Sequence, residues 1–336
     1  MSVANIHGKN INVLIHLLER TVDNGRPIDF YIDSIDPHLD ADGLIYIQKL
    51  ITDDISCEKR TLYLNNILSG LNTLGIRTIQ KVFYKTYVNP DINNWNVSFV
   101  TNASNAFGYS KFNNPLNEWN VSRVTNMHSM FINSLFNQPI GNWNVSAVVD
   151  MSSMFFDSLY DHPLNEWNVG NVTDMCFMLI GSKYNHPLNE WDVSSVIGMW
   201  GMFQSSIYNH PLNNWDVSNV TYMRVMFKNS KFNHPIGNWD ISNVTNMTDM
   251  FVGAKNFDQD LEAWGPLLHP DVLVLGMFVG SPMEGNEPSW YHERAEKELE
   301  YNNMLKRKKE NEKPSFNKQG IPMMKSKEIS LVKKRK

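Results

Sequence analysis

The fold is decided by the 24-residue unit WDVSNVTYMRVMFKNSKFNHPIGN at residues 215–238. Its tryptophan recurs through the middle of the chain, with six intervals of 24 residues and a last interval of 25. The tryptophans are Trp95, Trp119, Trp143, Trp167, Trp191, Trp215, Trp239 and Trp264. A unit of this length cannot close a hydrophobic core by itself, so successive units must stack on one another. The repeat therefore favours a binding function over catalysis.

The apolar spacing within a unit predicts which segment forms a strand. About eight of the 24 positions are apolar, which is enough for one layer of a shared core and too few for a freestanding fold. The spacing from Ile236 through Trp239 to Ile241 matches the Leu-x-x-Leu-x-Leu opening of a leucine-rich repeat and alternates with period two. It predicts a strand with Trp239 facing the core and Asp240 facing solvent. The Met-Phe pair is then a helical or 3₁₀ turn, and Asn-x-Pro is the return corner.

Two longer stretches carry a family resemblance, namely Trp119–Phe131 (WNVSRVTNMHSMF) and Phe232–Asp240 (FNHPIGNWD). They resemble the BspA-type leucine-rich repeat, and more narrowly its Trp-Asp-Val-Ser-Asn-Val-Thr-Asn-Met variety. This variety is known from mycoplasma-type surface proteins and from large DNA viruses of protists. The resemblance covers roughly residues 92–283 and implies an interaction solenoid, which bacteria often use in adhesion at their surface.

We therefore predict an α+β fold, a leucine-rich-repeat-like solenoid of about eight 24-residue coils with a helical N-terminal cap and a charged helical or disordered C-terminal tail. The predicted boundaries are 1–88 for a small helical N-terminal domain, 89–288 for the solenoid with its C-terminal cap, and 289–336 for a charged helix and a basic disordered tail.

The two ends of the array need covers because a bare terminal coil exposes its core. The N-terminal cover is predicted to be helical, since apolar residues recur at helix-compatible spacing in Asn12–Leu18, Leu44–Ile51 and Leu62–Leu68. At the other end, Pro288–Tyr291 is predicted to lie over the last coil. Beyond Pro314 the composition predicts disorder.

Composition excludes several classes of protein. Only Cys57 and Cys176 are present, far apart in sequence, which excludes a disulfide framework and a cysteine-based zinc site. No run of 18 apolar residues occurs, and Met1–Val22 lacks the apolar run of a secretory signal. We therefore expect a protein of the host cytoplasm or nucleus, or a virion component, with no membrane partner and no cofactor. The missing signal departs from the bacterial adhesin setting.

The outward face of the predicted strands is the best candidate for a protein-binding surface, because rigid strands place side chains well. Its acidic and amide side chains are Glu118, Asn120, Glu166, Asn168, Glu190, Asp192, Asp216 and Asp240. The alternative is a solvated face that is polar for solubility alone. No nucleophile or obvious pocket accompanies these carboxylates, so the sequence favours a protein that is not an enzyme.

Four histidines, His162, His186, His210 and His234, occupy one position in consecutive units. A metal ladder or a pH-sensitive edge is one hypothesis. The other, which we favour, is a polar corner residue copied with the repeat, since Asn114, Gln138 and Gln259 hold equivalent positions.

Three units depart from the pattern, the first of them through Ala103 and Ala106, which replace both methionines. Met178-Leu179 replaces Met-Phe in the fourth unit, and Gly198 with Trp200 alters the fifth. We interpret the changes in the fourth and fifth units as compensation in packing.

The tail differs in charge from the rest of the chain. From residue 301 onward there are 12 Lys+Arg and 3 Asp+Glu, a net +9, so the first 300 residues carry −14 of the total of −5. Its basic clusters are Lys306, Arg307, Lys308 and Lys309, and Lys333, Lys334, Arg335 and Lys336. Such clusters bind nucleic acid or act as nuclear localisation signals, and a solubilising tail is the alternative.

Two functions follow. The first is a non-enzymatic protein-interaction scaffold that binds a partner through the polar strand face, with the tail as an electrostatic anchor. The second is a structural or nucleic-acid-associated component of a large virus particle, whose basic tail meets nucleic acid or an acidic partner.

Overall fold

The computed structural model describes residues 4–7, 30–34, 65, 68–69, 73, 75–312, 315–316 and 322–323. Strand β1 (Ala4–His7) pairs in parallel with β2 (Phe30–Ser34), with Ala4 opposite Phe30. A 3₁₀ helix spans Glu262–Leu267, and helix α1 spans Tyr291–Glu312. Strand β3 (Ser315–Phe316) pairs antiparallel with β4 (Pro322–Met323). Among the described residues, no helix has the length and apolar character that crossing a membrane requires.

The 24-residue units stack, and each meets the next through one parallel bridge. The bridges run through Thr78, Asn102, Asn126, Asp150, Asp174, Gly198, Tyr222, Asn246 and Leu273. Because each step but the last is one repeat long, equivalent residues of successive repeats form columns along the stack.

The backbone between the bridge and the next corner alternates between two kinds of hydrogen bond. The N–H groups of Met127, Ser129, Phe131 and Asn133 donate to carbonyl oxygens of the following repeat over 2.7–2.9 Å. The N–H groups of Met130 and Ile132 donate to the carbonyl oxygens three residues back, over 3.1 and 3.2 Å, and that of His128 donates to Asn126 Oδ1 over 2.9 Å. The alternation coincides with left-handed φ at Ser129 (54°) and Asn133 (49°). Small polar residues tolerate this conformation better than bulky ones.

The tryptophan column forms the centre of the core. The eight repeat tryptophans are between 0 and 4% exposed. Each indole N–H donates to a carbonyl oxygen in the preceding repeat. Trp143, for example, donates over 2.9 Å to Leu116 O, and Leu116 lies three residues before Trp119. The acceptor residue is Leu or Ile in each case. Neighbouring rings lie parallel, with the centroids of Trp119 and Trp143 6.3 Å apart. A buried tryptophan removes about 150–250 Å² from water, so each contributes several kcal/mol at about 25 cal/mol/Å², as an upper bound.

The predicted α+β leucine-rich-repeat solenoid is wrong, because the repeats contain isolated bridges in place of strands. The segment Ile236–Ile241 alternates in burial as predicted, with Trp239 and Ile241 buried and Asp240 exposed. Its backbone nevertheless pairs with no neighbour as a strand. The N–H of Trp239 donates to Ile236 and that of Val244 donates to Ile241, so tight turns occupy donors that a ladder would need. The predicted helical Met-Phe turn is also wrong, since left-handed residues interrupt it.

The predicted helical N-terminal cap is not what the structure shows. The described part of residues 1–88 contains β1 and β2, and helical backbone only at 65, 68 and 69. The predicted helices Asn12–Leu18 and Leu44–Ile51 lie outside the described residues, as does Leu62–Leu68 apart from Asn65 and Leu68.

From residue 75 to 88 the chain follows the repeat pattern although it lacks the tryptophan. Lys81 and Lys85 adopt left-handed φ of 58° and 59°, close to the 56° of Asn105 and Tyr109 one repeat later. Phe83 stacks on Phe107 with centroids 5.3 Å apart. The stack therefore has a repeat-like unit in front of the first tryptophan-bearing one.

At the C-terminal end, Trp290 and helix α1 cover the last repeat. The Trp290 indole N–H donates to Leu261 O over 2.9 Å. The buried Glu298 carboxylate accepts the N–H groups of Val274 and Leu275 over 2.7 and 2.8 Å. In other repeats the N–H equivalent to that of Val274 donates to a carbonyl oxygen of the following repeat, as Met247 does to Leu273. The N–H equivalent to that of Leu275 donates to a side-chain oxygen two residues back, as Thr248 does to Asn246. The predicted disorder beyond Pro314 is wrong at β3 and β4, and the rest of that tail lies outside the described residues.

Candidate functional site

All eight residues predicted to bind a partner are exposed. They fall into two adjacent columns, one directly before the buried tryptophan and one directly after it. We call this set the acidic face: Glu118, Asn120, Glu166, Asn168, Glu190, Asp192, Asp216 and Asp240. The stacking of repeats brings them to one side of the molecule without a strand.

The column after the tryptophan has a local structural role that the sequence analysis missed. Asn120 Oδ1 accepts the N–H and the hydroxyl of Ser122 over 3.1 and 2.7 Å. Asp192 accepts the same two groups of Ser194 over 3.1 and 2.6 Å. The hydroxyl and backbone N–H of Ser218 hold the pKa of Asp216 below its usual value. The Asn/Asp-x-Ser spacing of an Asx turn was the available signal.

The column before the tryptophan divides into two groups. Asn142 donates its amide to the carbonyl oxygen of Asn117 in the preceding repeat over 2.7 Å, and Asn238 does the same to Asn213 over 2.7 Å. Glu118, Glu166 and Glu190 occupy the same position, and an ionised carboxylate has no proton to donate. These glutamates therefore cannot make the donor bond to a carbonyl oxygen of the preceding repeat.

The glutamate carboxylates are held by neighbouring amides. Asn117 Nδ2 donates to Glu118 over 2.9 Å, while Glu190 accepts from Asn189 over 3.4 Å and from Asn214 over 3.1 Å. The oxygens are thus positioned at the surface and keep free lone pairs for a cationic or hydrogen-bond-donating group.

The histidine column pairs with the backbone. The Nε2 atoms of His162, His186, His210 and His234 lie 2.8–3.2 Å from a carbonyl oxygen of the preceding repeat. A carbonyl only accepts, so Nε2 carries the proton. Asn114 makes the equivalent bond to Asn89 O over 2.8 Å. Within the described residues, no group of three or more His, Cys, Asp or Glu could hold a metal ion. The corner-residue interpretation fits this geometry better than a metal ladder.

An exposed aromatic cluster lies on a different side and was missed by the sequence analysis. Ile197, Trp200 and Tyr222 are 49, 39 and 53% exposed. The Arg224 guanidinium lies 5.6 Å from the Trp200 ring centroid, and the Phe177 and Trp200 centroids are 5.1 Å apart. Trp200 therefore lies at the surface, and the interpretation of the change as compensation in packing stays a prediction. Most other units have a polar residue at this position, and that pattern could have indicated an exposed side chain.

The remaining candidates are the two basic clusters of the tail and the two cysteines. Lys306–Lys309 are exposed near the end of α1, while the cluster Lys333–Lys336 lies outside the described residues. Burial raises the pKa of the Cys176 thiol to about 12, which keeps it protonated at neutral pH. Cys57 also lies outside the described residues.

These features define a protein of stacked 24-residue repeats with a polar, partly acidic exposed face. The family model described as "Mycoplasma protein of unknown function, DUF285" matches residues 56–160 and 156–264. The chain belongs to this mycoplasma-type repeat family, which agrees with the coarser part of the resemblance seen in the sequence. Neither the curated proteins nor the solved structures gave a match.

Proposed function

We propose that the chain is a non-enzymatic scaffold that binds a protein partner through the acidic face. The observation that carries the proposal is the replacement of a structural asparagine by Glu118, Glu166 and Glu190. At this position asparagine can donate to a carbonyl oxygen of the preceding repeat, which an ionised glutamate cannot do; Glu190 instead accepts from Asn214 of the following repeat. An exposed carboxylate that lacks this donor and keeps free lone pairs is better explained by binding than by packing.

The charge state of the face suggests the partner's chemistry. The Asp216 pKa is lowered by its serine contacts, which favours the ionised form. Ionised, exposed carboxylates suit a partner with Lys or Arg side chains and suit proton donation poorly. Such a contact steers association electrostatically and weakens with salt.

The test is affinity capture from native cells with the full chain as bait, followed by mass spectrometry. The test variant changes Glu118, Glu166 and Glu190 to Gln. The control changes Glu293, Glu296 and Glu300 to Gln, because these exposed residues on α1 give the same change in net charge. A protein captured by wild type and control, and lost from the test variant, supports the proposal. Equal capture by all three baits contradicts it.

The second candidate function is nucleic-acid association through the basic tail, as in a component of a virus particle. Its support is the exposure of Lys306, Arg307, Lys308 and Lys309 on α1. Four phosphate contacts would give a slope of log K against log salt of about −3.6 on duplex DNA. Changing the four residues to Gln should reduce the slope by that amount, and an unchanged slope would exclude this cluster as a nucleic-acid arm.

A further inference from the structure

A row of apolar and cationic side chains runs along a corner of the stack seven residues before the acidic face. It contains one residue per repeat, two positions before the asparagine or aspartate of the corner, or three positions before it in the last unit, where the corner residue is Asp258. We call it the lysine ridge: Tyr87, Lys111, Leu135, Leu159, Lys183, Ile207, Lys231 and Lys255. All eight are exposed, including Leu135 and Leu159 at 46% and Ile207 at 41%.

The local backbone forces these side chains outward. Each of the six ridge residues from Lys111 to Lys231 follows a buried serine and precedes a buried aromatic residue, as Leu135 lies between Ser134 and Phe136. The N–H of Leu135 donates to Ser110 O in the preceding repeat over 3.1 Å, and the N–H of Lys231 donates to Ser206 O over 3.2 Å. The ridge position is therefore the outer tip of a tightly bonded corner.

The charge along the ridge is positive although the chain as a whole is acidic. Four of its eight residues are lysines and none is acidic. Among the residues within two sequence positions of a ridge residue, only Asp157 and Asp161 are acidic, and each lies two positions from Leu159. Lys85, two positions before Tyr87, adds a further positive charge. The Lys111 ammonium also lies 4.7 Å from the Tyr87 ring centroid. A column whose only role was solubility would hold polar side chains throughout, whereas this column holds leucine and isoleucine as well as lysine.

We propose that the lysine ridge binds the surface of an anionic lipid membrane. A single row of protruding side chains offers no pocket for a protein's anchor residue, but its members can all reach a flat surface together. The boundary between headgroups and acyl chains provides negative charge and an apolar layer at neighbouring depths. Lysines can then lie at the headgroups while Leu135, Leu159 and Ile207 reach the layer below.

The ridge is independent of the acidic face and of the proposed protein partner. From the sequence we expect no membrane partner, because no segment can span a bilayer. Our proposal departs from that expectation, since surface binding needs no spanning segment. Each lysine near an anionic surface contributes about 1 kcal/mol, or roughly fivefold in partitioning. Two lysines should therefore change vesicle binding by roughly 30-fold.

The test is cosedimentation of the full chain with phosphatidylcholine vesicles, with and without phosphatidylserine. The test variant carries Lys183→Gln and Lys231→Gln. The matched control carries Arg123→Gln and Arg224→Gln, which removes the same charge from exposed residues elsewhere. We expect binding only with phosphatidylserine, a roughly 30-fold loss in the test variant and a much smaller loss in the control. An equal loss in both, or binding that ignores phosphatidylserine, overturns the proposal.

A second variant tests the apolar part, with Leu135→Ser and Leu159→Ser at unchanged charge. We expect at least about a tenfold weaker partition, because two exposed leucines no longer enter the apolar layer. Equal binding by this variant overturns insertion. Polyglutamate serves as a soluble acidic polypeptide: if it binds with the same dependence on Lys183 and Lys231 while vesicles do not bind, the ridge recognises an acidic macromolecule and the membrane proposal is wrong.

Discussion

The indole N–H of Trp290 lies 2.9 Å from the carbonyl oxygen of Leu261, and this is the bond that every repeat tryptophan makes to the preceding repeat. The chain leaves the repeat pattern at this point, yet the contact that joins successive repeats is preserved. Trp290 lies outside the array, yet it covers the last repeat through the same indole-to-carbonyl hydrogen bond that joins the repeats.

Changing Trp290 to Phe should lower the free energy of unfolding by about 1–2 kcal/mol, because Leu261 O loses its donor and some apolar area is lost. Urea denaturation measures the change. Trp200→Phe is the control, since Trp200 is 39% exposed and its change should stay within about 0.5 kcal/mol. Equal effects of the two substitutions would show that Trp290 does not stabilise the C-terminal end of the stack.

Glu298 should be essential for the C-terminal end. In Glu298→Ala the N–H groups of Val274 and Leu275 lose their acceptor, which should destabilise the protein by about 3 kcal/mol. Glu298→Gln keeps one acceptor oxygen and should cost about 1 kcal/mol. The exposed Glu296 on the same helix, changed to Ala, should have almost no effect in the same thermal or urea melt, and a comparable loss there would argue against capping.

Gly201 should tolerate no side chain. Its φ is +63°, and a Cβ atom would lie 2.7 Å from Cδ1 of Phe177. Gly201→Ala should therefore cost about 2–4 kcal/mol, the sum of backbone strain and a steric clash. Gly285 has φ +85° with nothing near its Cβ position, so Gly285→Ala should cost only the strain, about 1 kcal/mol. The loss in unfolding free energy for Gly201→Ala, minus the loss for Gly285→Ala, measures the clash. Equal losses would mean that Phe177 moves aside.

Removing the hydroxyl of Tyr208 should stabilise the protein. This buried hydroxyl has no hydrogen-bond partner, and phenylalanine fills the equivalent position in other repeats. Tyr208→Phe should therefore raise the free energy of unfolding by about 1 kcal/mol. Tyr184 is the contrast, because its hydroxyl accepts the N–H of Leu164 over 3.3 Å, so Tyr184→Phe should be neutral or slightly destabilising. Destabilisation by Tyr208→Phe would show that its hydroxyl is bonded in solution.

The histidine column should be replaceable by asparagine. Asn114 already makes the same bond, so His210→Asn should change stability by less than about 0.5 kcal/mol, while His210→Ala should cost about 1 kcal/mol. Zn²⁺ titration followed by calorimetry completes the test on the same proteins. Defined zinc binding by the wild type that His210→Asn abolishes would restore the metal-ladder hypothesis.

The sequence predicts the buried side chains better than the backbone that carries them. The regular tryptophan interval leads directly to a buried column, and the alternation around Trp239 correctly separates inward from outward residues. The same alternation does not distinguish a paired strand from an extended segment between tight turns. That difference depends on where the N–H groups of Trp239 and Val244 go, and residue type does not encode it.

The left-handed positions were partly visible in the sequence. Ser129 and Asn133 are residue types that accept positive φ, and a column of such residues could have excluded a helical Met-Phe turn. Phe177 and Val225 occupy the same kind of position with φ of 61° and 51°, which obscures the signal. Their neighbours in the stack impose a conformation that these side chains disfavour locally.

The exposure of the acidic face was predictable, but the unequal roles of its residues were not. Asp192 and Glu190 look equivalent in the sequence, since both are acidic and flank Trp191. In the fold, Asp192 closes a turn with Ser194, while Glu190 accepts a hydrogen bond from Asn214 of the following repeat.

The bridges every 24 residues mean that each internal unit presents one surface to its predecessor and a complementary one to its successor. A gene duplication or deletion of one whole unit would keep the bridge at each new junction, while side-chain pairs that differ between units, such as Phe177 with Trp200, would change partner. The length of such a protein can therefore drift by unequal recombination in steps of one unit, while the two termini remain the same. The length of the stack can therefore change in evolution while the interactions that stabilise it stay of the same kind.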